Sequence, residues 1–80
     1  MRVDKFLKVS RLIKRRTVAN EACDKGRVSI NGKEAKPSSL VKVGDVLEIG
    51  FGEKALRIEI TSIAEHIAKN DAASLYRVLP

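Results

Sequence analysis

Residues 1–16 read MRVDKFLKVSRLIKRR. They hold seven cations, Arg2, Lys5, Lys8, Arg11, Lys14, Arg15 and Arg16, against the single anion Asp4. The other residues carry nine Lys/Arg and nine Asp/Glu, so the whole formal charge of +6 sits in the first fifth of the chain. Val3, Phe6 and Leu7 fall at i, i+3 and i+4, which predicts one apolar stripe of a short helix beginning near Arg2. Arg2, Lys5 and Lys8 advance by three along a neighbouring face. Asp4 precedes Lys8 by four positions, a spacing that lets the two pair on one helix face and makes the lone acid local structure. Val9, Leu12 and Ile13 carry the apolar signal into a turn, which Lys14-Arg15-Arg16 closes.

Beyond this segment, Thr17 is expected to N-cap a second helix. Val18, Ala19, Ala22 and Cys23 form a narrow stripe of small side chains, so this helix should pack closely on the first. Lys25 suits the last turn of that helix, and Gly26 its C-cap. Arg27 to Ile30 alternates polar and apolar before Asn31-Gly32, a pair that favours the positive φ angles of a type I′ hairpin turn. Lys33 to Lys36 reads as the return strand, broken by Pro37-Ser38-Ser39. Leu40, Val41 and Val43 lead to a Gly44-Asp45 turn. Val46 to Ile49 reads as a strand, with Gly50 to Glu53 as its turn. Leu56 to Thr61 alternates as a half-buried strand with Arg57 and Glu59 outward. Ala64 to Ala73 reads as a short helix or a loop, and Leu75 to Leu79 as a last strand. The expected fold class is α+β. Two packed N-terminal helices with a basic turn precede a small, mostly antiparallel curled β-sheet. Residues 1–63 form the domain, and residues 64–80 are a C-terminal segment packing on it.

A chain of 80 residues is one domain with a thin core. It leaves little room for the ~300–1,000 Å³ pocket of a small-molecule site. A pI near 9.8 with clustered charge points to nucleic acid. The rival partner, an acidic membrane surface, needs bulky apolar groups opposite the cations. Phe6, Leu7, Leu12 and Ile13 are such groups, but the thin core claims them. No stretch approaches the ~20 apolar residues of a membrane span, and no apolar run follows the early charges as in a signal peptide. The single cysteine, Cys23, forms no internal disulfide, so a reducing, cytoplasmic location is expected.

The cations read as phosphate ligands. If roughly five make contact, affinity falls with salt at a log–log slope of about −4. The bland alternative, a solvated helix face, fits poorly, because seven cations repel one another while charge is balanced everywhere else. A helix-turn-helix would read DNA bases with its second helix. That helix offers Asn20, Glu21 and Asp24, two of them acidic, so the cations suit the shape and backbone of structured RNA better. Phe6, Phe51 and Tyr76 are the aromatics, too few and too ill-placed for a stacking platform. No catalytic group is expected. His66 reads as a surface residue and Cys23 as a buried thiol, and together they make no zinc site. No glycine pattern of a nucleotide-binding loop is present, so neither metal nor cofactor is expected. Arg2→Ala or Arg16→Ala should abolish function with little loss of folding, as for exposed charges generally. Lys42→Ala or Lys54→Ala should barely change RNA affinity.

The start RVDKFLKVSRLIKRRT, the helix ending in DKGRV, the hairpin SINGK and the later KVGDVLEI resemble the alpha-L RNA-binding motif, named after the fourth protein of the small ribosomal subunit. The resemblance covers about residues 2–63. It implies that both helices and the adjoining hairpin dock on RNA. By position that carries over to Arg2, Lys5, Lys8, Arg11, Arg15 and Arg16, beside Lys14 from the charge cluster, and more weakly to Lys25, Arg27, Asn31 and Lys33. Many family members append the motif to an enzyme. With no catalytic domain here, the chain looks most like the stand-alone RqcP type of bacterial ribosome quality control, a group related to the small ribosome-associated heat-shock protein. What that implies is a factor, monomeric off the ribosome, on a large subunit obstructed by peptidyl-tRNA. It would touch ribosomal RNA and tRNA and support a protein partner that adds alanine to the stalled chain. The alternatives are a ribosomal RNA chaperone or subunit-assembly factor and, from another class, a DNA-binding regulator.

Overall fold

A computed structural model describes all 80 residues. Two helices come first, α1 (Val3–Val9) and α2 (Arg16–Asp24), packed on each other. Then follow β1 (Val28–Ile30), β2 (Lys33–Glu34), β3 (Val46–Phe51), β4 (Lys54–Ile60), a 3₁₀ helix (Lys69–Leu75) and β5 (Tyr76–Val78). The five strands make one sheet in the order β2-β1-β3-β4-β5, antiparallel at each pairing and open at the β2 and β5 edges. The α+β class and the two-helix start stand as the sequence predicts.

Seven residues are too few for a helix to persist alone, so α1 depends on what it packs against. Val3, Phe6 and Leu7 are fully buried, and each such side chain contributes roughly 1.5–3 kcal/mol. The first turn is held by a distant loop. Val3 N–H donates to the Ser39 carbonyl (2.7 Å), Asp4 N–H to that of Pro37 (3.3 Å), and Arg2 bridges Leu40 in antiparallel fashion. These contacts satisfy donors that every helix N-terminus leaves free. After α1 the chain reverses at Ser10, which is buried and donates its hydroxyl to Leu7 O at 3.2 Å. Arg11 takes a positive φ of 63°, and Ile13 then drops into the core.

Several expectations are corrected. The α2 N-cap is Arg15, not Thr17, because the helix already begins at Arg16. Val18 is 47% exposed; only Ala19 and Cys23 of the small stripe are buried, since α2 meets α1 along a seam one residue narrower than supposed. The return strand β2 stops at Glu34, because Ala35 turns into the core. Phe51 ends β3 rather than lying in its turn.

The hairpin turn is as the Asn-Gly pair predicts, with φ of 52° at Asn31 and 85° at Gly32. Gly26 also takes a positive φ (72°), and a Cβ there would stand 2.6 Å from a Glu34 carboxylate oxygen. In the sheet, Glu48 faces Arg57 and Glu59 faces Arg77 across neighbouring strands, and both form ion pairs. Leu47, Ile49, Ile58 and Ile60 point the other way and are fully buried. Leu75, at the end of the 3₁₀ helix, joins the same core.

Candidate nucleic-acid interface

Asp4 organises the basic segment. Its carboxylate is 2% exposed and accepts three hydrogen bonds. Arg2 Nη2 donates to Oδ2 at 3.1 Å, Arg16 Nη2 to Oδ1 at 3.4 Å, and Lys5 N–H to Oδ1 at 2.8 Å. The expected pairing of Asp4 with Lys8 does not form. Asp4 points inward beneath the first turn of α1, and the α1–α2 reversal carries Arg16 onto it. Arg2 and Arg16, the two ends of the segment, therefore meet on one buried charge. Their side chains stay about half exposed, at 47% and 48%, with their remaining donors toward solvent. Each is a partner of a buried carboxylate, so replacing either with Ala removes a bond of the fold as well as a surface charge, a coupling that the sequence reading did not include.

A groove of about 550 Å³ opens directly over this clamp, bordered by Arg2, Arg16, Thr17, Asn20 and Glu21. A second, of about 740 Å³, continues past Arg2 and Asn20 toward Glu34 and Lys36. Both are open surface troughs, not enclosed chambers. In the sequence Thr17 reads as an N-cap and Asn20 as a polar group of the second helix, neither as a site residue, and the helical step of three that places them together was the available signal.

The other predicted site residues divide by their partners. Lys5 forms an ion pair with Glu65. Lys8, Arg11, Lys14 and Arg15 are exposed and have no ion-pair partner, and neither have Lys25, Arg27 and Lys33. Lys25 is the C-cap of α2. Arg27 borders an apolar groove of about 420 Å³ with Leu12, Val18 and Phe51, so it sits beside the basic turn. Lys33 lies on the edge strand β2. Asn31 is committed elsewhere: its amide donates to Asp45 Oδ1 (3.0 Å) and its carbonyl accepts from Val46 N–H (2.9 Å). It therefore locks two turns together and has little left for RNA. Arg57 and Arg77 on the sheet and Lys42 in the loop before β3 are paired with acids, whereas Lys33 and Lys54 on the strands are not, so the unpaired cations are densest, but not confined, at the helices and their flanks.

Two buried groups are electrostatically distinctive. Burial pushes the Cys23 thiol up to about 11, with Asp4 and Asp24 adding to the effect. Burial also works to raise the Asp45 carboxyl, but hydrogen bonds from the Lys42 ammonium, the Asn31 amide and the Lys42 N–H outweigh it and hold Asp45 below its ordinary value.

The S4 domain model matches residues 1–47. A protein of Halalkalibacterium halodurans named RQC P-site tRNA stabilizing factor is 55% identical over 98% of this chain and 89% of its own length. Its Bacillus subtilis namesake is 53% identical over 99% of this chain and 92% of its own length. Among solved structures, the trimeric heat shock protein 15 of Vibrio cholerae superposes with a TM-score of 0.91 at 32% identity, covering 99% of this chain and 81% of that one. A match over more than half the chain, agreement at this level along nearly its whole length and the same fold lead to one conclusion: the chain belongs to the S4 domain family, the alpha-L RNA-binding motif.

Proposed function

We propose that this chain is a non-catalytic RNA-binding factor of bacterial ribosome quality control. It works in the cytoplasm on a large ribosomal subunit obstructed by peptidyl-tRNA. Residues 1–63 act as the RNA-binding domain, with residues 64–80 folded back on it. The observation that carries this reading is the pair of guanidiniums fixed on buried Asp4. They are flanked by four unpaired cations, Lys8, Arg11, Lys14 and Arg15. A guanidinium held in place loses less freedom on binding a phosphate, and its planar fork matches two phosphate oxygens. The names of the curated relatives support tRNA in the ribosomal P site as a second ligand. By bridging ribosomal RNA and that tRNA, the factor holds the obstructed complex while a protein partner extends the stalled chain with alanine. The one thiol, Cys23, is buried and its pKa is raised to about 11, so it is not poised as a nucleophile.

Sucrose-gradient sedimentation of tagged protein from gently lysed cells tests this, with peptidyl-tRNA probed in each fraction. Wild type should travel with large subunits that hold peptidyl-tRNA. The Lys14→Ala/Arg15→Ala double variant, which touches no ion pair, should shift to the top of the gradient. Wild type remaining at the top at low salt would overturn the reading.

A further inference from the structure

Residues 64–67 lie outside the stretch that the family model matches, yet they lie against α1. Glu65 pairs with Lys5, and Lys8, Val9, Arg11, Glu65, His66 and Ile67 enclose a pocket of about 230 Å³. That volume is below the range of small-molecule sites and suits a small anion. Val9 and Ile67 pack on the core and give the pocket a fixed wall. Three nitrogen-bearing side chains, Lys8, Arg11 and His66, line it, and neither cation has an ion-pair partner.

The one acid in the lining does not cancel them. The hydrogen bond from Lys5 and then its charge, aided by His66 and the chain's amino terminus, hold the Glu65 carboxyl below its ordinary value. Glu65 thus stays an anion engaged with Lys5, which anchors the loop and leaves Lys8 and Arg11 free. A second, independent feature is the backbone at Arg11. Its φ of 63° is a conformation that favours glycine and burdens a long side chain. A residue in this strained conformation that carries a free guanidinium at a pocket points to use of that guanidinium.

We propose that this pocket binds one backbone phosphate of the RNA through Lys8, Arg11 and His66, so that residues 65–67 form part of the RNA-binding face. The inference rests on the RNA-binding reading above and adds a contact to it. Two arms separate them. In the first, inorganic phosphate is titrated into the full chain while backbone amide resonances are followed. The amides of Lys8 to Arg11 and Glu65 to Ile67 should shift together and saturate, and Arg11→Gly should abolish the saturable shift. In the second, binding of unfractionated tRNA is measured across salt concentrations. Arg11→Gly and His66→Gln should each weaken binding about 3–10-fold, and Arg11→Gly should lower the log–log salt slope by about 0.7–0.9, the loss of one phosphate contact. Arg11→Gly suits the backbone it replaces, so a folding defect does not confuse the result.

Unmoved amides would overturn the pocket. So would saturation by phosphate with tRNA affinity and slope unchanged in both variants, since the pocket would then serve a free anion. Wild type that binds phosphate here but no RNA would remove the proposed function together with the RNA assignment.

Discussion

Asp4→Asn is the sharpest test of how the basic segment is held. An asparagine fits the same space and keeps one oxygen. With that oxygen at the Oδ1 position, it still accepts from Lys5 N–H and Arg16. Its amide nitrogen then faces Arg2 Nη2, donor against donor, where the carboxylate had accepted at 3.1 Å. A hydrogen bond to a charged group contributes about 1.5–3 kcal/mol when desolvated. Arg2 is 47% exposed and can rehydrate, so about 1–1.5 kcal/mol is the fitting loss. The Arg16 bond weakens by about 0.5 kcal/mol as its acceptor loses charge. Removing an anion from the first turn of α1 costs a further ~0.3–1 kcal/mol. The expected total is about 2–3 kcal/mol. A chain of this size has only roughly 4–12 kcal/mol of stability, so this is a large fraction. The larger penalty for stranding a buried charge does not apply, because the charges left behind reach solvent. Urea unfolding followed by far-ultraviolet circular dichroism measures the change, with Lys14→Ala as a control expected within about 0.5 kcal/mol of wild type. Asp4→Asn unfolding within that same margin would refute the clamp.

Asn31→Ala loses both hydrogen bonds between the two turns and leaves a Cβ residue at positive φ, so it should destabilise by about 2–3 kcal/mol. Asn31→Gly tolerates the φ and should cost about 1–2 kcal/mol, with RNA affinity unchanged once folding is corrected for. Asp45 sits lower in the folded state than in the unfolded chain, so its contribution is present above the ordinary carboxylate value and is lost as pH falls through the folded one. The acid limb of a stability–pH curve should therefore be shallower in Asp45→Asn than in wild type. Cys23 is raised to about 11, so above pH ~9 only the unfolded chain ionises there. Stability should fall between about pH 9 and 11 in wild type and less in Cys23→Ala, and a thiol reagent at neutral pH should label the native protein far more slowly than the urea-unfolded one.

What was legible in the sequence was local. The Asn31-Gly32 turn follows from two adjacent residues that tolerate positive φ, and Gly26 ends α2 for the same reason. The outward Arg57 and Glu59 follow from the period-two rule of a strand. The clustering of seven cations in the first sixteen residues is visible by count alone. What the sequence left open depends on pairs far apart in the chain. Asp4 was read with Lys8 because helix spacing is the only partner rule a linear pattern offers. Its partners are instead Arg2 and the distant Arg16, which arrives by a reversal at Ser10 and Arg11, and a left-handed arginine has no composition signal. The same holds for Ser39 capping α1, for Asn31 reaching Asp45, and for Glu65 reaching Lys5. Charge and turn chemistry are properties of neighbours and survive in one dimension. Which cations are spent on the fold and which stay free for a polyanion is a property of packing, and only the tertiary structure assigns it.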